Sequence, residues 1–152
     1  MRIFVFILLF ISSTALLAHP NLVELRDLFE KASIDEVANN ELYKATKSYS
    51  LKTFPLYYAY NAAAEMTLAN HAAWPTTKLS YFNAGKVRLE EAVQYQPNNV
   101  EIRYIRYCVQ QGCPFFLGYA ANLSEDKKFI LANLDKTNWS NSYKDDVRKF
   151  LK

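Results

Sequence analysis

The chain has 152 residues, with 18 Lys or Arg against 15 Asp or Glu and a formal net charge of +3 at pH 7. This near balance argues against nucleic-acid binding and against electrostatic binding to a membrane surface. With 11 Tyr and 10 Phe against only 3 Gly, the composition favours a well-packed core and argues against disorder or a turn-rich all-β protein.

The N-terminal residues have the pattern of a secretory signal peptide over 1–18. Arg2 precedes an unbroken apolar run over 3–11, which is too short to span a bilayer, and small polar residues follow it. Leu16 is bulkier than the residue usual before a cleavage site, so the exact site stays open. Removal of this peptide would leave residues 19–152, the size of a single domain. We therefore expect an exported protein, periplasmic or secreted, without an integral membrane segment in the mature chain.

Helical periodicity recurs from Leu22 to the end of the chain, and no segment shows sustained strand alternation. The sequence therefore predicts an all-α fold of about six to seven helices. The first helix is predicted over 22–32. The second is expected to follow Ser33, which forms a capping box with Glu36 three residues later, and to extend to about Lys47.

A third helix is predicted from Pro55, which is tolerated in a first turn, to about Asn70. Within it the consecutive alanines 62–64 leave room for a neighbouring helix to approach closely. A loop over 71–77 then leads into a fourth helix over 78–95. The apolar residues of the fourth helix fall on one arc of the helical wheel: Tyr81, Phe82, Gly85, Leu89, Ala92 and Val93.

A fifth helix is predicted over 100–111, with Asn98 or Asn99 as its N-cap. Its apolar arc contains Ile102, Tyr104, Ile105, Cys108 and Val109. The opposite side is expected to be a polar stripe formed by Arg103, Arg106 and Gln110. Two further helices complete the prediction, one capped by Ser124 and one over 142–151.

The two cysteines, Cys108 and Cys113, could form a disulfide if the chain is exported. In a regular helix, residues five apart are separated by about 7.5 Å of rise, which is outside bridging range. Gly112 and Pro114 could unwind the last turn and bring the sulfurs together. A disulfide and two separate buried thiols therefore both stay open.

The spacing of Gly85, Leu89, Ala92 and Pro97 resembles the second helix of a tetratricopeptide repeat. In that repeat, small and large residues alternate so that two helices interlock, and a proline ends the unit. The resemblance implies a stack of antiparallel helix pairs, in which a concave face could hold a peptide.

Outside this unit the resemblance to the repeat is loose. The preceding helix lacks the Gly-x-x-Tyr spacing, and Arg103 and Arg106 fall near positions where the repeat prefers apolar side chains. Between about 55 and 134, the segments AAAEM, KLSYFNAGK, LEEAV, PNNVEIR and FLGY are similar to a group of uncharacterised exported bacterial proteins of this size. This similarity implies the same helical architecture and carries no activity with it.

Two carboxylates fall in apolar surroundings, Glu65 in the alanine-rich third helix and Glu101 in the apolar arc of the fifth. A half-buried pair could act as general acid and base in an interhelical pocket. Alternatively, each pairs with a basic residue of a neighbouring helix, such as Lys86 or Arg88, because a buried unpaired charge is costly. The sequence favours the ion pairs, since no His or hydroxyl nucleophile lies at an informative spacing from either carboxylate.

Two arginines one turn apart on the fifth helix could grip a carboxylate or phosphate of a partner. Together with two residues of the fourth helix, these arginines form the candidate partner-binding set: Arg103, Arg106, Asn83 and Lys86. The alternative is a solvated stripe whose arginines pair with Glu90 or Glu91.

The two histidines of the chain, His19 and His71, give only a weak metal signal. If cleavage makes His19 the N-terminal residue, its terminal amine and imidazole could bind copper together with His71. However, Pro20 follows directly and no further ligand is recognisable. We therefore predict no metal and no cofactor.

The leading functional hypothesis is an exported, non-enzymatic helical-repeat module that binds a protein or peptide partner. The first alternative is a small-molecule carrier or an enzyme that uses an interhelical pocket with Glu65 or Glu101. The second alternative is a structural role in an envelope assembly.

Overall fold

A computed structural model describes residues 19–152, so the predicted signal peptide over 1–18 lies outside the described residues. The described part is all helical, as predicted, with seven α-helices and no strand within it. The helices are α1 (Leu22–Ala32), α2 (Glu36–Thr46), α3 (Pro55–His71), α4 (Pro75–Tyr95), α5 (Val100–Gly112), α6 (Leu123–Asn133) and α7 (Asn141–Phe150). Short 3-10 turns lie at Phe115–Leu117 and Leu134–Lys136.

The start of α2 differs from the prediction. Its N-cap is Asp35, whose carboxylate accepts hydrogen bonds from the backbone amides of Val37 and Ala38 at 2.9 and 3.2 Å. Ser33 instead is the residue that ends α1. Asp35 rather than Ser33 is the N-cap because its carboxylate accepts from the free backbone amides of the first turn and also interacts favourably with the positive end of the helix dipole.

The starts of α4 and α6 also differ from the prediction. Because proline is tolerated in a first turn, α4 begins at Pro75 rather than at Lys78, and the predicted loop is correspondingly shorter. The sixth helix begins at Leu123, so Ser124 lies inside it rather than at its cap. Of the two alternatives for α5, the N-cap is Asn99, whose side chain accepts from two backbone amides.

The third helix lies at the centre of the fold and contacts α1, α2, α4 and α5, with its most extensive packing against α4. The closest approach is at Gly85 of α4, where an added Cβ would lie 2.5 Å from the carbonyl oxygen of Ala62 and 2.4 Å from Cγ of Met66. The three alanines 62–64 are all fully buried. The predicted close approach at the alanine-rich section of α3 is therefore confirmed.

Two apolar cores lie on opposite sides of α5. The first contains Ile102 and Ile105 of α5 together with residues of α1 to α4. The second contains Tyr104 and Tyr107 of α5 together with residues of α6, α7 and their connection: Ile130, Leu134, Trp139, Val147 and Leu151. Because α5 is covered from both sides, it presents little surface to solvent.

The expected exposure of the α5 polar stripe to solvent is therefore wrong, although the expected pairing of an arginine of this stripe with Glu90 is confirmed for Arg106. Arg103, Arg106 and Gln110 are 9%, 4% and 2% exposed. The reason is that α6 packs over this side of α5 and brings the fully buried Asp126 against the two arginines. A helical wheel shows which residues share a face, but it does not show which helix will cover that face.

Between residues 19 and 152, no helix combines the length and apolar character needed to cross a membrane.

Candidate functional site

A cleft of about 910 Å³ opens between the N-terminal half of α4 and the C-terminal end of α5, with α3 beneath it and the ends of α1 and α7 beside it. Its volume is in the upper part of the range found for small-molecule sites, and the cleft is open to solvent along one side. It is the candidate functional site of the described chain.

The floor of the cleft is apolar and well packed. Met66, Phe82, Tyr104 and Val147 line it, and these residues come from α3, α4, α5 and α7 in that order. All four are less than 9% exposed, so the neighbouring helices hold them firmly in place. A floor built by four helices is a preformed surface rather than one that a ligand must assemble.

The rim of the cleft carries large apolar side chains that solvent can reach. Leu79 of α4, Phe116 of the first 3-10 turn and Phe150 of α7 are 48%, 83% and 50% exposed. Gly118 ends the 3-10 turn at a φ of 60°, a conformation that glycine adopts without strain, and the turn carries Phe116 on the rim. Exposed apolar side chains grouped around an apolar floor are typical of interaction surfaces.

Charged side chains lie at two places in the cleft. Glu30 of α1 and Asp146 of α7 line one side, and Lys78 of α4 lines the other. Burial raises the pKa of Glu30, and the negative charges of Asp27 and Asp146 raise it further. The α1 and α7 residues of the lining thus contribute two carboxylates, with Lys31 close enough to act against the rise in the pKa of Glu30, whereas the α4 residues contribute one cation.

The two arginines predicted to bind a partner lie instead in a buried ion network. The guanidinium of Arg106 donates to both carboxylate oxygens of Asp126, at 2.7 and 2.8 Å, and to Glu90 at 2.9 Å. Arg103 donates to Glu125 at 2.8 Å, and its Nε lies 2.7 Å from Asp126 without the alignment of a hydrogen bond. Both guanidinium groups are thus engaged within the chain.

Two members of the network, Arg106 and Tyr119, have raised pKa values. Burial opposes the charge of Arg106, but the hydrogen bond and charge of Asp126, with those of Glu90, outweigh it and raise the pKa of Arg106. Burial and the hydrogen bond to Glu90 raise the pKa of Tyr119. The network therefore ties α4, α5 and α6 together as a structural unit.

The two other residues of the predicted partner-binding set lie on α4. Asn83 is exposed, and Lys86 lies with its ammonium 5.0 Å above the ring of Tyr119. Neither residue lines the cleft. The structure thus places Arg103 and Arg106 in the network, Lys86 beside Tyr119 and Asn83 on the exposed face of α4, and none of the four lines the cleft.

Glu101 is saturated with hydrogen-bond donors. Its carboxylate accepts from two guanidinium nitrogens of Arg26 at 2.8 and 2.7 Å, from the Tyr60 hydroxyl at 2.6 Å and from the Trp139 indole at 3.1 Å. Burial, together with the charge of this carboxylate, raises the pKa of Tyr60 well above its usual value. A smaller cavity of about 450 Å³ adjoins Glu101, but every strong acceptor direction of the carboxylate is already used.

Glu65 pairs with Arg88 of α4 at 2.7 Å, and the side chains are 17% and 25% exposed. Both carboxylates are therefore in ion pairs, as the sequence favoured. For Glu65 the partner is one of the two named residues. For Glu101 it is Arg26 of α1, which the spacing along the chain does not indicate. Neither carboxylate lines the cleft.

The histidines lie apart and have separate partners. His71 shares a hydrogen bond between its Nε2 and the carbonyl oxygen of Ala32 at 3.0 Å, whereas His19 lies beside Tyr49 and Phe54. Within residues 19–152, no group of three or more His, Cys, Asp or Glu side chains could hold a metal ion.

The cysteines are both free thiols and both line the cleft. Cys108 lies at the cleft wall within α5, where burial raises the pKa of its thiol to about 12. Cys113 follows the end of α5, and burial raises its pKa as well. A thiol whose pKa is raised in this way is a poor nucleophile at neutral pH.

Sequence reasoning missed the cleft because its rim residues come from three distant segments. The Phe-Phe pair after Pro114 was the one local signal, and the two side chains are 97% and 83% exposed. Leu79 lies outside the apolar arc of α4, so the helical wheel shows it only as an isolated apolar residue.

No family model, no curated protein and no solved structure matches the chain. The functional argument therefore rests on the geometry of the chain itself.

Proposed function

We propose that the protein is an exported, non-enzymatic helical module that binds a protein or peptide partner, and that the partner occupies the cleft between α4 and α5. Export rests on the signal-peptide pattern over 1–18. The observation that carries the binding role is the exposed apolar rim of Leu79, Phe116 and Phe150 around a buried apolar floor.

The charged groups of the fold support a binding role over a catalytic one. Glu65 and Glu101, the two carboxylates with buried surroundings and a possible acid-base role, are both held by arginines. A general base needs a free lone pair within reach of substrate, and Glu101 has none to offer.

The volume of the cleft also supports a second candidate, a carrier of a small apolar molecule. About 910 Å³ lies within the range of such sites. The openness of the cleft and the number of exposed aromatic side chains at its rim favour a macromolecular partner, because a carrier gains by enclosing its cargo.

Site-specific photo-crosslinking tests the proposal. Benzoylphenylalanine replaces Phe116 at the rim or, as a matched control, Ile34, which is 89% exposed and does not line the cleft. We expect the variant at position 116 to form a discrete adduct with a protein of the exported fraction, and the variant at position 34 to form none. Equal labelling from both positions, or adducts of a few hundred daltons from position 116 alone, would contradict the proposal, and the second result would favour the carrier.

A further inference from the structure

Two of the three charged side chains that line the cleft have no ion-pair partner in the described part of the chain. Among residues 19–152, neither Glu30 nor Lys78 has an ion-pair partner. Asp146 pairs only with Lys149 at 3.1 Å, where both side chains are more than half exposed and water screens the attraction. Within the described residues, the cleft lining therefore carries one carboxylate and one ammonium without an ion-pair partner, and a second carboxylate whose only partner is an exposed lysine.

The acidic side is built by two helices that are distant in sequence. Glu30 is near the C-terminal end of α1, and Asp146 is in the middle of α7. The two carboxylates are close enough for the charge of Asp146 to act on Glu30. Asp27 acts in the same direction, whereas Lys31, which pairs with Asp27 at 2.7 Å, acts in the opposite one. Like charges gathered beside an apolar floor are unfavourable in the free protein, and a cation placed between them relieves this repulsion.

The apolar lining of the cleft indicates which kind of molecule carries this cation. An apolar floor bordered by exposed apolar side chains can accept the apolar face of a helix, whose anchor side chains recur every three or four residues. Met66 in the floor gives an adaptable apolar surface of the kind used in such grooves. Opposite charges on the two sides would fix which way the helix lies.

We infer that the occupant of the cleft is an amphipathic helical segment of a partner protein, with a Lys or Arg flanking its apolar face that pairs with Glu30 and Asp146. Lys78 contacts an acidic residue on the other flank of the same segment. This inference rests on the proposed function and adds the chemical class and orientation of the partner.

The test uses two labelled model peptides, each a helix of about four turns with leucines on one face and glutamine and alanine elsewhere. The first peptide has two lysines on one flank of the leucine face and two glutamates on the other, and the second has glutamines at the lysine positions. Binding to the full residues 19–152 is measured by fluorescence anisotropy. We expect the lysine peptide to bind roughly tenfold more tightly, a preference that falls as salt is added.

Three protein variants locate the effect. Glu30→Gln/Asp146→Asn is expected to abolish the preference for lysine, whereas the control Glu36→Gln/Glu41→Gln, which removes the same charge from exposed positions on α2, keeps it. Leu79→Ser/Phe116→Ser is expected to weaken both peptides equally. Circular dichroism and a thermal melt verify that each variant is folded.

The outcomes separate this inference from the proposed function. If both peptides bind equally and Leu79→Ser/Phe116→Ser abolishes their binding, the inferred pairing of a partner cation with Glu30 and Asp146 is overturned. The cleft would still be a peptide-binding site. Binding of neither peptide also overturns the inference, and crosslinking at position 116 then decides the proposed function separately. Self-association of the wild type that Leu79→Ser/Phe116→Ser abolishes would identify a second copy as the occupant and overturn the partner proposed here.

Discussion

Arg106 grips Asp126 with two parallel hydrogen bonds of 2.7 and 2.8 Å, and the carboxylate is wholly inaccessible to solvent. Arg103 approaches the same carboxylate, so one negative charge holds two buried guanidinium groups. Glu90 and Glu125 supply the remaining negative charge from α4 and α6. This bidentate contact is the main polar link between α6 and the rest of the fold.

We predict that Asp126→Asn lowers the free energy of unfolding by about 3 to 5 kcal/mol, because it leaves two buried guanidinium groups without their shared carboxylate. Urea unfolding followed by circular dichroism measures the change. The control is Glu125→Gln in the same helical turn, whose side chain is 63% exposed and whose loss should cost about 1 kcal/mol or less. Equal effects of the two substitutions would show that Asp126 is not the centre of the network.

The close packing of α3 against α4 gives a second prediction. Gly85→Ala is expected to destabilise the fold by about 2 kcal/mol, because the new methyl group would overlap the carbonyl oxygen of Ala62 and the main chain would have to move. This cost outweighs the gain of roughly 1 kcal/mol that alanine brings to a helix interior.

Gly112→Ala is the matched control for this prediction, since no atom lies within 4 Å of an added Cβ at that position. It is expected to leave stability unchanged or to raise it by about 0.5 kcal/mol. Thermal melts of the two variants compare them directly. A Gly85→Ala protein as stable as the wild type would mean that α3 and α4 are further apart than described here.

The buried tyrosines predict a loss of stability in alkali. Burial, then the charge and hydrogen bond of Glu101, raise the pKa of Tyr60, while burial and Glu90 raise that of Tyr119. Above the unfolded-state pKa of about 10, these groups ionise only when the chain unfolds. Each should therefore lower the free energy of unfolding by about 1.4 kcal/mol per pH unit as pH rises further.

Urea midpoints measured between pH 9 and about 12 test this effect. Tyr119→Phe should reduce the loss of unfolding free energy per pH unit by the contribution of one tyrosine. A slope that Tyr119→Phe does not alter would contradict the buried assignment of that hydroxyl.

The two thiols should react at very different rates. With a pKa of about 12, Cys108 has on the order of one thiolate in ten thousand molecules at pH 8, so a disulfide reagent should modify it far more slowly than an unfolded thiol. Cys113 lies beyond the last turn of α5 and is less enclosed, so it should react first. Release of the chromophore from Ellman's reagent by Cys108→Ser and by Cys113→Ser separates the two, and faster reaction of the Cys113→Ser protein would contradict the prediction.

Much of the fold could be predicted from local signals. Pro55, Asn99 and the apolar arc that includes Leu89 placed three helices correctly, because caps, proline and periodicity act within a few residues of the chain. The errors at Asp35 and Pro75 are also local: in each case two competing signals lay within three residues of one another.

The surroundings of α5 could not be predicted in the same way. Whether Arg103 and Arg106 face water or a neighbouring helix depends on where α6 packs, and a buried arginine with a buried partner has the same sequence pattern as an exposed one. The cleft has the same difficulty, since Leu79 and Phe116 become neighbours only through the packing of α3, α4 and α5. These are tertiary relationships that no single helix encodes.

Methyl and amide chemical-shift mapping with the lysine peptide is the most direct test of the cleft as the binding site. We expect the peptide to shift the methyl signals of Met66, Val109 and Val147, which line the cleft, and to leave those of the buried Leu42 and the exposed Val37 in place. Shifts confined to the amides around Asn83 and Lys86, or no shifts at saturating peptide, would contradict it.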